Sequence, residues 1–274
     1  MKILILGSDG QIGSALTTHL KNLKYEVVDF DIFSNTKNDL REPNILNNIL
    51  PDTDFVFFLA FDVGGSAYLK EYQDSFIFIS NNIKIMNNTF DSLKKYKTPF
   101  IFTSSQMSNM SYSSYGILKH IGEKYTHCLN GKIVKLWNVY GYERNLIKSH
   151  VITDFILSAK NNKIINMRTN GKESRQFLYS DDCGECLEIL MNKFYELTEI
   201  EYDVTNFEWT SILDIANIIA RNFPNTVINI GEKSDELQKN ALREPSTDIL
   251  RYWQPKTSIN KGIKKIIEME NKKR

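Results

Sequence analysis

Met1-Lys-Ile-Leu-Ile-Leu-Gly7-Ser-Asp-Gly10-Gln-Ile-Gly13 opens the chain: a short apolar run passes straight into three glycines spaced three apart. A turn of this kind binds phosphate. Gly7 lets the chain reverse tightly, Gly10 lets the backbone approach a pyrophosphate, and Gly13 lets the next helix pack closely against the strand. The pyrophosphate rests on unpaired N–H groups at the helix start, which places Gln11 and Ile12 in the same seat.

Beyond the glycines, Ile12, Leu16, Leu20 and Leu23 recur on one helix face. Tyr25-Glu-Val-Val-Asp-Phe-Asp31 then reads as a second strand ending in acid. Asp31 lies about 20 residues past the glycines, where a carboxylate accepts the ribose hydroxyls of an adenosine. Its charge would repel a 2′-phosphate, so the expected cofactor is NAD rather than NADP.

Strand-like runs recur at 3–6, 27–30, 55–59, 100–103 and 133–136, with helical patterns between them. This alternation predicts an α/β fold built on a Rossmann-type, doubly wound parallel sheet, with strands apolar on both faces. Residues 76–96 and 112–129 read as two long helices. After about residue 140 the rhythm loosens into a helix at 149–161, a short strand near Ile164, and irregular polar sequence at 168–175. A helix at 183–194, a strand at 202–204 and amphipathic helices at 212–222 and 259–269 follow. The expected division is an NAD-binding domain over 1–145, with 176–206 crossing back to it, and a smaller substrate-binding α/β domain over 146–274.

The 274 residues, 42% of them hydrophobic, suffice for a large core. A net charge of +1, from 34 basic against 33 acidic residues, gives no basic stripe for nucleic acid. The closing Glu270 to Arg274 reads as a solvated helix end. No apolar run approaches the ~18 residues of a membrane span, and the opening strand is unlike a cleavable leader. The expectation is a soluble, cytoplasmic protein without nucleic-acid or membrane partners. Three cysteines argue against a disulfide framework. Cys183-Gly-Glu-Cys186 matches C-x-x-C, but it lies within a helical pattern without a second pair for zinc.

Tyr115 and Lys119 stand four apart on the helix after the 100–103 strand, so both project from one face. A phenol of pKa ~10 is a poor base at neutral pH. An adjacent ammonium and the positive nicotinamide ring of NAD would lower that value and let Tyr115 take a hydroxyl proton as hydride leaves carbon. The spacing alone decides nothing, because with 13 tyrosines a second such pair occurs at Tyr252 and Lys256, interrupted by Pro255. Position after Thr103-Ser104-Ser105 singles out Tyr115. A strand-end hydroxyl there would meet the same substrate oxygen, with Ser105 favoured and Ser104 its competitor.

With these residues in place, the chain resembles the extended short-chain dehydrogenase/reductases of the sugar-nucleotide epimerase/dehydratase family over nearly its whole length. The resemblance implies that Asp39 and Leu40 border the adenine, that Leu59-Ala60-Phe61 runs alongside the cofactor, and that Asn82 supports the active site. Val63-Gly64-Gly65 is similar to a loop of nucleotide-sugar members. Trp137-Asn-Val-Tyr-Gly141 resembles the Asn-Val-Tyr-Gly signature, which implies that Asn138 reaches a substrate diphosphate. Arg175-Gln-Phe-Leu-Tyr-Ser-Asp-Asp182, Arg243-Glu-Pro245 and Trp253-Gln-Pro-Lys256 match further segments, which implies that Arg175 and Arg243 bind the same group. Guanidinium forks suit phosphate oxygens.

The pattern departs in two places. Gln106 and Met107 stand where family dehydratases carry an Asp-Glu pair, and residues 104–115 lack the cysteine of GDP-fucose-synthase-like members. The segment between Ser105 and Tyr115 is short, and that between Arg243 and Trp253 is trimmed. His150 could reach the ligand, although a histidine before a helix is commonly a capping or surface residue. His19, His120 and His127 suggest no metal cluster. Ser105, Tyr115, Lys119 and a nicotinamide suffice for reversible hydride transfer at one carbinol, by resemblance C4 of a nucleotide-linked sugar. A 4-epimerase and a 4-dehydrogenase or 4-ketoreductase both fit. The alternative class, a non-catalytic NAD- or nucleotide-sugar-binding module, has no need of Tyr115 and Lys119. Relatives pair through two long helices, so a homodimer is expected.

Overall fold

The computed structural model describes residues 1–235 and 243–272; residues 236–242 of the expected second domain, and Lys273 and Arg274 of the expected solvated end, lie outside the described residues. The chain begins with β1 (Lys2–Leu6), α1 (Gln11–Asn22) and β2 (Glu26–Phe30), the two strands pairing in parallel. No α-helix or strand forms between Phe30 and β3 (Phe55–Phe58), only a 3-10 turn at Leu50–Asp52. Then come α2 (Ser66–Tyr72), α3 (Phe76–Tyr96), β4 (Phe100–Ser105), α4 (Ser114–Cys128) and β5 (Lys132–Leu136).

The chain next forms β6 (Asn138–Tyr140), α5 (Val151–Asn162), β7 (Ile164–Asn166) and β8 (Ser174–Tyr179), then α6 (Ser180–Asn192) and β9 (Glu201–Val204). It ends with β10 (Trp209–Ser211), α7 (Ile212–Ala220), β11 (Val227–Asn229) and α8 (Ile259–Asn271).

Six strands in the order β2-β1-β3-β4-β5-β9 form one parallel sheet. From β1 the chain moves outward to β2 and returns to β3 on the other side of β1. Strand order therefore reverses at the β1/β3 boundary, where open α/β sheets bind ligands beyond their carboxyl ends.

Successive strand residues face opposite sides. Ile3, Ile5 and Phe57 meet Leu16, Leu20 and Leu187 on one side, while Leu4, Leu6 and Phe58 meet Phe90, Phe102 and Leu118 on the other. Each such fully buried side chain contributes roughly 1.5–3 kcal/mol, which explains why these strands read as continuous apolar runs.

A second, three-stranded sheet has the order β10-β8-β6, and β11 pairs with β7. Tyr140, Ile156, Phe177, Ile215 and Ile263 form a separate core there. Helix α6 leads the chain from β8 back to the large sheet, where β9 pairs with β5 in parallel.

The five expected strands of the large sheet match within two residues, and the helix expected at 76–96 has those bounds. Helix α4 starts at Ser114 rather than 112, because the Ser113 hydroxyl caps it by accepting from Gly116 N at 3.1 Å. The irregular reading of 168–175 gives way at Ser174 to β8, whose partners β6 and β10 are remote in sequence. Cys183 and Cys186 are buried in α6, and burial pushes the Cys183 thiol up to about 12, so the C-x-x-C pair is core.

Candidate active site

A cleft of about 570 Å³ opens where β1, β3 and β4 end. Its wall includes the glycine turn, Asp31, Leu59 to Phe61, and Ser105, Tyr115 and Lys119. Gly7 has φ +90°, a conformation that a side chain would strain. A Cβ on Gly13 would stand 2.0 Å from the Gly7 carbonyl oxygen, so only glycine lets α1 approach this turn. Gly10 is the N-cap of α1, with no side chain capping it. The first-turn N–H groups of Gln11 to Gly13 thus lie at the cleft wall, a cradle that fits a dinucleotide pyrophosphate.

Asp31 is held by its surroundings, accepting from Asp9 N at 3.0 Å and Phe33 N at 2.8 Å. Asp39 and Leu40 also line the cleft. The Arg41 guanidinium bonds both Asp39 oxygens, at 2.9 and 2.7 Å, and holds that carboxyl below its usual range. The Gln11 amide, oriented to satisfy both partners, donates to Val139 O at 3.0 Å and accepts from Gly141 N at 3.1 Å. Asn82 stands behind the wall, fully buried. It accepts from Asp62 N at 2.7 Å and donates to Asp62 O at 3.1 Å, fixing the loop after β3.

The Ser105 hydroxyl accepts from Met107 N at 3.1 Å, and its proximity to the Tyr115 phenol lowers that group's pKa. Ser104 instead donates to Glu123 Oε1 at 2.5 Å, so the two serines part company. Lys119 Nζ donates to Thr103 O at 2.8 Å and lies 3.9 Å from the centre of the Phe61 ring. Phe61 also packs edge-on against Tyr115, with ring centres 5.7 Å apart.

Burial pushes the Tyr115 phenol up to about 12 against the lowering effect of Ser105. Burial likewise pulls Lys119 down to about 7, against the raising effect of Glu123. The ligand-free chain therefore keeps Tyr115 a neutral phenol and leaves Lys119 divided between its charged and neutral forms near pH 7.

Local packing sets this geometry. Gln73, just past α2, accepts from Ser113 Oγ at 2.8 Å and from Tyr115 N at 3.4 Å. A Cβ on Gly116 would stand 2.2 Å from Met107 O, so α4 seats directly on the 3-10 turn Gln106–Asn109. Together these hold the first turn of α4, and with it Tyr115, against the end of β4.

Residues 3–205 match the family model described as NAD dependent epimerase/dehydratase family. The chain belongs to this family. Among curated relatives, dTDP-L-rhamnose 4-epimerase of Burkholderia thailandensis is 29% identical over 48% of this chain and 37% of its own length. GDP-L-fucose synthase of Sinorhizobium fredii is 29% identical over 48% of this chain and 44% of its own length. The chain thus spans less than half the length of either. A crystal structure of UDP-glucose 4-epimerase with UDP-glucose, from Thermotoga maritima, superposes with a TM-score of 0.85 at 19% identity. That match covers 100% of this chain and 99% of the other, a likeness of fold.

Asn138 lies on the cleft, and its buried Nδ2 has no hydrogen-bond partner. The two arginines implied by family resemblance are not on this wall. Arg175 is buried, bonding Ser174 O at 2.6 Å and pairing with Asp235. Arg243 pairs with Asp203 at 2.5 Å, lies 4.9 Å from the Trp137 ring centre, and borders a separate pocket of about 80 Å³.

His150 does line the cleft. Its Nδ1 is 2.6 Å from Glu143 Oε1, and its backbone N–H donates to Oε2 of the same carboxylate at 3.0 Å. Burial alone would lower the imidazole pKa, but the Glu143 carboxylate outweighs it and holds the value above its usual range. Asp62 binds Lys148 at 2.6 Å and Tyr68 at 2.7 Å. Burial opposes ionisation of Asp62, yet these bonds hold its carboxyl below the usual range.

Sequence reading did not find Phe61's contact with Lys119, Gln73, Glu143 or Asp62 as working parts. Only the aromatic after Leu59-Ala60 was a visible signal, since the other three act through partners at least six positions away. Among the described residues, no three His, Cys, Asp or Glu side chains gather to hold a metal, and no helix is long and apolar enough to cross a membrane.

Proposed function

We propose that this chain is an NAD-dependent oxidoreductase acting on a nucleotide-diphosphate sugar by reversible hydride transfer at C4, as a 4-epimerase or as a 4-dehydrogenase/4-ketoreductase. One observation carries the reading: the Ser105–Tyr115 pair and Lys119 share a single cleft with the glycine cradle and Asp31. The name of the Burkholderia relative, a 4-epimerase, supports the choice of C4.

In this reading the α1 N-terminus seats the pyrophosphate, Asp31 receives adenosine ribose hydroxyls, and Asp39, Leu40 and Leu59 to Phe61 flank the cofactor. NAD+, when bound, accepts the hydride and brings a positive ring near Tyr115 and Lys119. Ser105 holds the substrate hydroxyl and Tyr115 takes its proton. The Lys119 ammonium stabilises the phenolate, and its contacts with Thr103 O and the Phe61 ring favour that charged form.

Asn138 offers its free amide N–H groups to the sugar-nucleotide. Arg175 and Arg243 would need to leave Asp235 and Asp203 to join it. Gln106 and Met107 supply no carboxylate pair, which disfavours dehydration.

The proposed domain division, 1–145 with 176–206 and 146–274, is supported by α6 and β9 rejoining the large sheet. A homodimer through α3 and α4 is supported by exposed Ile77, Ile83, Ile117, Ile121 and Tyr125 on those helices.

The test is turnover of UDP-, GDP- and dTDP-sugars with NAD+ by wild-type and Tyr115→Phe protein, alongside NAD+ titration of both. A loss of turnover with NAD+ affinity retained is expected. Unchanged turnover in the variant would refute the role of Tyr115.

A further inference from the structure

Arg144 leaves the chain just after β6 and reaches the glycine turn, where its Nη1 stands 2.7 Å from Asp9 Oδ1. Asp9 lies between Gly7 and Gly10, beside the N–H groups that form the phosphate cradle. Its side chain is only 14% exposed against 51% for Arg144, and its Oδ2 is buried without a hydrogen-bond partner. Asp31 stands next to it, accepting from the Asp9 backbone N–H.

Two carboxylates thus adjoin the seat of a dianionic group, and like charges in a partly buried site repel strongly. Arg144 is the cation paired with the nearer one. It spends one of five N–H donors on Asp9, with no other partner among the described residues. Four residues on, Lys148 pairs with Asp62 beyond β3 at 2.6 Å. The 141–150 loop is therefore tied to both banks of the β1/β3 crevice.

We propose that Arg144 is a cofactor-binding residue that cancels the charge of Asp9 on the glycine turn and directs its free N–H groups at the dinucleotide pyrophosphate. This rests on reading the cleft as an NAD site. It explains how an acidic glycine turn accepts a diphosphate, and it gives the 141–150 loop a direct hold on the cofactor. A guanidinium suits both tasks, since one edge can stay on a carboxylate while another faces phosphate oxygens.

The experiment is calorimetric titration of the whole chain with NAD+, ADP-ribose and adenosine at fixed ionic strength. It compares wild type with R144Q, R144K, D9N and D9N/R144Q. R144Q should weaken NAD+ and ADP-ribose at least tenfold and leave adenosine, which has no phosphate, within twofold. R144K, which keeps the charge, should lose less. In the D9N background the same R144Q change should weaken NAD+ by a clearly smaller factor, because the charge it balanced is gone.

Unchanged NAD+ affinity in R144Q would overturn the proposal, as would an equal loss for adenosine or an identical loss in both Asp9 backgrounds. Wild-type protein that binds none of the three probes would instead overturn the NAD reading of the cleft, and the role of Arg144 with it.

Discussion

Replacing Lys119 by methionine should remove a pH dependence of stability that the buried amine imposes. Burial lowers Lys119 from an ordinary 10.5 to about 7, with only partial compensation from Glu123. At ~1.4 kcal/mol per pH unit this corresponds to roughly 5 kcal/mol of penalty when the folded chain must carry the ammonium. Between the two values the unfolded chain holds a proton that the folded chain has released, so stability rises with pH. Below about pH 7 both states are protonated and the full penalty applies.

Between pH 7 and pH 9 the wild type should therefore gain about 2 kcal/mol from this group, or roughly 4–8 °C in midpoint for a chain of this size. The assay is thermal unfolding at both pH values and constant ionic strength, for wild type and Lys119→Met. The change in midpoint from pH 7 to pH 9 is compared between them. Groups common to both cancel, and the lost donor to Thr103 O acts equally at either pH. Identical pH responses would refute the argument that Lys119 is held near neutrality.

Tyr115→Phe should reduce turnover by about 10²–10⁴-fold and leave NAD+ affinity within threefold by titration. Gly13→Ala should abolish NAD+ binding and destabilise the chain by about 1–3 kcal/mol in urea unfolding, because its Cβ meets the Gly7 carbonyl. Glu143→Gln should destabilise more at pH 5.5 than at pH 8.5 by about 1 kcal/mol. The raised His150 pKa makes its pairing fully felt below ~6.5 and lost as pH rises through the folded value. Urea midpoints at the two pH values measure that difference. Ile121→Asp should shift the chain to monomer in sedimentation velocity, whereas monomeric wild-type protein at micromolar concentration would refute the dimer.

The large sheet was legible because its strands are apolar on both faces, and a run such as Phe55 to Phe58 admits few other readings. The glycine turn was legible because backbone geometry dictates residue type at each position. Strands β6, β8 and β10 were not, since the three-residue segments Asn138–Tyr140 and Trp209–Ser211, and the polar start of β8, acquire strand structure only from partners far along the chain. At the site, Ser105, Tyr115 and Lys119 were readable from spacing and position.

The positions of Arg175 and Arg243 were not readable in this way. Motif matching identifies a guanidinium but not the carboxylate that competes for it, here Asp235 and Asp203. Glu143 was hidden for a related reason, because its effect on His150 depends on a loop that folds back across seven residues. The effect of burial on Tyr115 and Lys119 was invisible for want of any measure of solvent access, and it leaves Lys119 only partly charged near pH 7 in the ligand-free chain.

The most direct measurement of the central claim is the absorbance of reduced nicotinamide after rapid mixing of NAD+-loaded protein with nucleotide-diphosphate sugars, in wild type and Tyr115→Phe. The account predicts a reduced-nicotinamide signal with at least one such sugar in wild type, and its loss or slowing by about two orders of magnitude or more in the variant. A signal of equal rate in both proteins, or none with any UDP-, GDP- or dTDP-sugar in protein shown to hold NAD+, would contradict it.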